Sequence, residues 1–292
     1  MDEPITLPKK PLSAFNALRG VGIGVANIIP GVSGGTIAVV TGIYDEIVDA
    51  FGNFFKSEGG WKRNLLFLLP VVIGILAGNI AFARVIGFLL DTVPEATTFG
   101  FIGLILGSAP YLVKRSGVQR ISVLHVLLFA LGMAVVLWMG LTSRPAESPP
   151  ITDITPVTGA IIFAAAFIAS IAMIIPGVSG SFLLLLIGMY STLRYGFSTV
   201  NLPLIGLFVG GTLFGVVLVS KGISALLRRF HAGTYVVIIG LVIGSAIALF
   251  PGVSSGMMIV LDLGAFAVGA ALSLLLGTDM KERILRRRRR ES

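Results

Sequence analysis

Two nearly identical segments carry the residue types from which an anion site can be built. The first reads Ala26-Asn27-Ile28-Ile29-Pro30-Gly31-Val32-Ser33-Gly34, and the second reads Ala172-Met173-Ile174-Ile175-Pro176-Gly177-Val178-Ser179-Gly180. Eight of the nine positions agree at an offset of 146 residues. Proline lacks an amide donor and clashes with the preceding turn, so a helix must end or kink at Pro30 and at Pro176. Gly31, Gly34, Gly35, Gly177 and Gly180 permit tight turns and close backbone approach. Amides freed by the break, followed by a new helix N-terminus, favour negative charge. Ser33 and Ser179 can cap that helix or donate to an oxyanion, and Thr36 and Ser181 add hydroxyls just beyond them. One such motif could equally be a proline kink packed by small residues. Two copies in corresponding places favour a binding site for an anion.

Further candidates come from charges inside apolar stretches, where a charge is costly and needs a reason. Arg84 lies late in one such stretch, and Lys221 stands at its repeat position, 137 residues on. A cation in each half suits an anionic substrate, and arginine offers bidentate geometry to phosphate. His125 and Asp262 coincide at the same offset. As protonatable groups at paired positions they could couple movement of a substrate to a proton or ion gradient. Asp45 and Glu46 read as residues of a wet loop without a role, and His231 as a loop residue.

The sequence contains no cysteine and two histidines. Thiolate metal sites and cysteine nucleophiles are thereby excluded, and no metal or other cofactor is expected. His125 and Asp262 fall in opposite halves without a basic neighbour, so an enzyme such as a lipid phosphatase is not expected either.

These residues sit in an unusually apolar chain. Of 292 residues 55% are hydrophobic, 37 more are glycine, and 12% are charged. So small a chain cannot bury that much apolar surface in water, which makes it a polytopic all-α membrane protein. The start of the chain lacks the charged-then-apolar pattern of a cleaved signal. The net charge of +8 does not point to nucleic acid, because seven of the 22 Lys and Arg form the run Lys281 to Arg290 without an aromatic platform. That run reads as a topology anchor touching acidic membrane lipids.

Charge-free stretches place six full spans near 64–90, 96–113, 121–142, 203–220, 235–250 and 257–277. The segments broken at the two Pro-Gly-Val-Ser-Gly motifs read as re-entrant hairpins. Residues Gly177 to Tyr190 would make the second arm of the later hairpin, about 21 Å as a helix and too short for a roughly 30 Å core. With both termini in the cytoplasm, 19 of the 22 basic residues fall on the cytoplasmic side. Each half is then one hairpin plus three spans. Three is odd, so the halves are inverted, as in many secondary transporters. Residues 1–142 form the first repeat, 143–156 an external linker, 157–280 the second repeat and 281–292 the basic tail. Pro251-Gly252-Val253-Ser254-Ser255-Gly256 looks like a third copy but reads as an external turn. Small-residue faces at Gly74/Gly78 and Gly103/Gly107 could pack within the chain or in a homo-oligomer.

The run Asn27-Ile28-Ile29-Pro30-Gly31-Val32-Ser33-Gly34-Gly35-Thr36, with Gly42-Ile43-Tyr44, resembles the start of the PopT-type polyprenyl-phosphate transporters. The second Pro-Gly-Val-Ser-Gly is similar to that family as well, and the likeness covers about 12–280. It implies a flippase that returns undecaprenyl phosphate between leaflets of the bacterial cytoplasmic membrane, the carrier lipid of peptidoglycan and other envelope polymers. The residues by themselves reach only an inverted-repeat transporter of an anion, which leaves a transporter or channel for a small soluble anion as the alternative. The second motif has Ser181 where the first has Gly35, so the two sites need not be equivalent.

Overall fold

The computed structural model describes residues 13–28, 33–55, 60–142, 148–252, 256 and 258–277. Pro30, Gly31 and the basic tail, to which the sequence assigns roles, lie outside the described residues. Those described form helices joined by short turns, with no strand among them.

The first half runs α1 (Ala14–Ile28), α2 (Gly34–Val40), α3 (Tyr44–Gly52), α4 (Gly60–Thr92), α5 (Pro94–Gly107), α6 (Ala109–Ser116) and α7 (Val123–Thr142). The second runs α8 (Pro156–Ile174), α9 (Gly180–Leu186), α10 (Tyr190–Ser198), α11 (Leu202–Arg229), α12 (His231–Ala248) and α13 (Met258–Gly277). The halves match element by element. The arms α2 and α9 each have seven residues, and α3 and α10 each have nine. Ser33 and Ser179 take the same extended N-cap conformation. Each arm ends at a left-handed glycine, Gly42 at φ +66° and Gly188 at φ +72°. Only glycine enters that region without strain, so these two residues stop the arms after two turns. The second arm is therefore shorter than the sequence suggests.

Local signals set the other boundaries. Thr155 and Thr158 form a reciprocal capping box ahead of Pro156, and Asn201 Oδ1 accepts from the Leu204 amide at 3.2 Å. Pro94 opens α5 at a position that needs no amide. Gly117, at φ +68°, closes α6.

Among the described residues, seven helices are long and apolar enough to cross a membrane: Trp61–Thr92, Pro94–Ser116, Val123–Thr142, Pro156–Ile174, Leu202–Arg229, His231–Ala248 and Met258–Leu275. The chain is a multi-pass, all-helical membrane protein. Six of the seven coincide with the expected spans. The other, α8, is the first arm of the second broken segment, whose 19 residues reach about 28 Å. Outward positions such as Ile80, Val123 and Leu141 are at least three-quarters exposed, a surface suited to lipid rather than water.

Helix pairing repeats too. Helix α1 lies along α4 as α8 lies along α11, and α5 lies along α13 as α12 lies along α7. The last two pairs each take one helix from either half, so the halves interlock. Small residues make these contacts close. A Cβ on Gly74 would run into the Ala17 carbonyl, one on Gly103 into the Phe266 carbonyl, and one on Gly240 into the Phe129 carbonyl. The Gly74/Gly78 and Gly103/Gly107 faces are thus used within the chain. Gly74→Ala should cost about 1–3 kcal/mol, because rigid backbone must move to admit the methyl group. Gly222→Ala, whose Cβ meets nothing within 4 Å, is the matched control. Thermal unfolding in detergent, followed through Trp61 and Trp138, should show a drop for the first variant and none for the second.

Candidate functional site

The two broken segments meet each other. The Gly177 amide donates to Thr36 Oγ1 at 2.8 Å, a buried bond between residues 141 positions apart. Ser33 Oγ reaches the Ile175 carbonyl at 3.5 Å and accepts from the Gly35 amide at 3.2 Å. Gly177 sits at φ +86°, and a Cβ there would lie 2.6 Å from the Leu241 carbonyl oxygen. Gly35 packs with its α-carbon face toward the Ile174 and Met173 carbonyls, at 3.2 and 3.4 Å from a built Cβ. Gly35 therefore serves close approach of one hairpin to the other, and Gly177 close approach of the second hairpin to α12.

A cavity of about 370 Å³ opens at this junction. Asn27, Ser33 and Gly34 line it from the first motif, and Met173, Ser179, Gly180 and Ser181 from the second. Phe197, Phe208, Leu213 and Thr212 complete the wall. Two motif copies far apart in sequence thus form one site. Its polar groups are hydroxyls and the Asn27 amide, all able to donate to an oxyanion. The surrounding wall is apolar, so a charge-assisted hydrogen bond formed there would be stronger than one in water.

The two serines of the repeat differ in state. Ser33 is buried and occupied with the Gly35 amide and the Ile175 carbonyl. Ser179 makes no capping bond and instead shares a hydrogen bond with Ser181 at 2.9 Å. Ser181 is exposed, whereas its counterpart Gly35 is buried against the opposite hairpin. The departure of the second motif from the first thus has a steric reason. The N-termini of α2 and α9 contribute less than the sequence suggests, since two-turn helices carry few aligned peptide dipoles.

A second cavity, of about 180 Å³, is the repeat image of the first. Ile23, Ile47, Phe51, Val71, Val72 and Ile75 line it. These are the repeat positions of Ala169, Leu193, Phe197, Phe208, Val209 and Thr212 in the larger cavity. Asn27, Gly34 and Met173 border both. Thr212 and Ser181 in the larger cavity are the repeat counterparts of Ile75 and Gly35 in the smaller, so the larger is also the more polar.

Other sequence candidates lie elsewhere. Arg84 is exposed on α4 and Lys221 is exposed on α11, and neither lines these two cavities. Pro176 and half-buried His125 line a separate groove of about 700 Å³. Ser122 Oγ bonds His125 Nδ1 at 3.0 Å. Asp262 is buried on α13, which packs against α5, while His125 lies on α7 against α12. The structure does not bring the two together.

Asp45 does not lie in a wet loop. It is buried in the first turn of α3, where its carboxylate accepts from the Tyr235 hydroxyl at 2.7 Å and pairs with Arg115 at 2.9 Å. Asp49, one turn on, accepts from Ser224 Oγ at 3.1 Å and Asn53 Nδ2 at 2.7 Å, and stands 3.7 Å from Arg228. Burial pushes the neighbouring Glu46 carboxyl above the ordinary carboxylate range. These contacts fasten α3 to α6, α11 and α12. On α10 the matching positions are Ser191 and Tyr195, so the second hairpin has no such acidic fastening. The spacing of Asp45 and Asp49, on one face of a short helix, was the available signal. His231 begins α12, and its Nε2 lies 3.0 Å from the Arg115 carbonyl oxygen.

Comparison with known proteins agrees with the repeat motif. Residues 23–266 match the VCA0040-like family, described as undecaprenyl phosphate translocase-like. A "polyprenyl-phosphate transporter" of Staphylococcus aureus is 36% identical over 274 residues, covering 90% of this chain and 95% of the relative. A Vibrio cholerae protein of the same name is 34% identical over 249 residues, covering 80% of this chain and 76% of the relative. Both are named as transporters rather than enzymes. No solved structure matches the chain. The extent of the family match, with both Pro-Gly-Val-Ser-Gly motifs inside it, shows that the chain belongs to the undecaprenyl phosphate translocase-like family.

Proposed function

We propose that this protein moves undecaprenyl phosphate between the leaflets of the bacterial cytoplasmic membrane, returning the carrier lipid for reuse. The observation that carries the reading is the single cavity lined by serines of both motif copies. The phosphate sits among Ser179, Ser181, Ser33 and Asn27, and the prenyl chain stays in lipid. Pro176 and Gly177 shape the break that brings Ser179 and Ser181 to the phosphate.

The two halves, 1–142 and 157–280, lie inverted in the membrane around linker 143–156, with both termini cytoplasmic. Repeat-related cavities of unequal size fit alternating access. In the exchanged state the 180 Å³ cavity is the wider one and the 370 Å³ cavity the narrower. Arg84 and Lys221, exposed on the flanks of α4 and α11, attract the anionic headgroup from either leaflet. His125 and Asp262 carry the coupling to a proton gradient. If so, Asp262→Asn should remove the response of transport to an imposed pH gradient while leaving lipid binding intact.

The direct test is undecaprenyl phosphate movement between leaflets of liposomes holding the purified protein. A hydrogen bond to a charged group contributes about 1.5–3 kcal/mol, so the double variant Ser179→Ala/Ser181→Ala should slow movement by ten- to a hundredfold or more, roughly. Unchanged movement would refute the cavity as the phosphate site. Movement of inorganic phosphate, with none of the lipid, would establish the small-anion alternative instead.

A further inference from the structure

The ends of α7, α11 and α12 enclose a groove of about 700 Å³ that is separate from the hairpin cavities. Leu124, Leu128, Ile223, Leu226, Val237 and Leu241 form its apolar wall. Its volume falls within the roughly 300–1,000 Å³ typical of ligand pockets. At one end stand Arg229, His231 and His125. At the other stand Ile175 and Pro176, the break of the second hairpin. Tyr44 lines both this groove and the 180 Å³ cavity. The groove thus runs from a basic rim to the segments that form the proposed phosphate site.

The two arginines at the rim differ in what they do. Arg228 is engaged with Asp49 and Ser224. Arg229 lies 5.4 Å over the Phe230 ring, with no carboxylate partner among the described residues. His231, bonded to the Arg115 carbonyl, draws the basic end of α6 to the same place. Repeat counterparts show that this charge is one-sided. Thr92 stands for Arg229, Glu95 for Ala232 and Asp262 for His125 in the other half. An anion is attracted to the groove by its rim and would meet carboxylates at the corresponding end of the other half.

We propose that this groove is a docking site for a polyprenyl phosphate, with the phosphate on Arg229 and His231 and the first prenyl units along the leucine wall. It rests on the transport reading, in which this end of α11 faces the cytoplasm, and it adds a second stop for the lipid on that side. An apolar slot with a cationic rim fits a long prenyl chain ending in one phosphate. A neutral prenol would gain only the wall.

Photocrosslinking tests the assignment. Benzoylphenylalanine is introduced at Leu124, and the full-length protein in liposomes is irradiated with undecaprenyl phosphate, undecaprenol or phosphatidylglycerol. Undecaprenyl phosphate should give the main adduct. Arg229→Gln should reduce that adduct about tenfold, the loss expected for one charge-assisted contact. Ala232→Trp, which fills the groove and keeps its charges, should reduce it as well. Equal labelling by undecaprenol or phosphatidylglycerol, or no effect of Arg229→Gln, would overturn the site. Adduct formation does not require translocation, so Ser179→Ala/Ser181→Ala should retain the adduct. Lipid movement without a phosphate-dependent adduct would refute the groove alone. An adduct without lipid movement would support the groove and refute the transport reading.

Discussion

Gly177→Val should abolish lipid movement and lower thermal stability more than any other single change in the broken helices. The residue sits at φ +86°, a region costing about 1–2 kcal/mol for residues with a Cβ and more for a β-branched one. Its Cβ would also stand 2.6 Å from the Leu241 carbonyl oxygen, which belongs to α12 and cannot yield without moving the helix. Overpacking of that kind adds about 1–3 kcal/mol. The backbone would have to shift, and the shift would break the Gly177–Thr36 bond that joins the two hairpins. The total comes to about 3–5 kcal/mol, a large part of a typical folding free energy. Scanning fluorimetry reads the stability and the liposome assay reads the movement. Wild-type movement in Gly177→Val would show that the hairpin junction is not part of the transport machinery.

The second large effect concerns the ion pair that anchors α3. Arg115→Ala would leave the Asp45 carboxylate buried without its cation. Losing one partner of a buried pair costs about 3–5 kcal/mol, and the lower end applies here because the Arg115 side chain is 46% exposed. The Tyr235 hydroxyl still donates to Asp45 and softens the loss. Neutralising both partners, as Asp45→Asn/Arg115→Gln, should recover most of the deficit, because no lone buried charge remains. A double-mutant cycle of thermal unfolding measures this directly. Additive losses in the cycle would show that the two groups act independently despite their 2.9 Å contact.

The same pair bears on transport. With α3 fastened and α10 without an acidic counterpart, the two hairpin exits are unequally restrained. The smaller cavity lies on the fastened side, lined by Tyr44, Ile47 and Phe51 of α3. In the proposed transport cycle, widening it would require α3 to move, and the Asp45–Arg115 and Asp49–Arg228 contacts would oppose that exchange of cavities.

Much of this protein was legible in its residues. Composition and charge-free runs determine a helical membrane protein, because about two-thirds apolar and glycine content has no soluble solution in so short a chain. Proline and glycine spacing locates the break between α8 and α9, since those residues act on their own backbone. The repeat also pairs the elements correctly, so that α2 matches α9 and α3 matches α10 in length. All of these are local properties, set by each residue and its near neighbours.

What only the tertiary structure decides is which side chains meet. The sequence offers Ser33 and Ser179 as equals, yet in the cavity that both line Ser33 is tied across the hairpin junction and Ser179 pairs with Ser181. Arg84 and Lys221 look like ligands by type and pairing, but their helices present them on exposed flanks. Asp45 looks like a loop residue because its partners, Arg115 and Tyr235, stand 70 and 190 positions away. The groove beside Arg229 is invisible in the sequence for the same reason, as α7 of the first half meets α11 and α12 of the second to build it. Spacing along the chain reveals a residue's own helix face, whereas a site is made by helices packing across hundreds of positions, and close glycine contacts choose that packing.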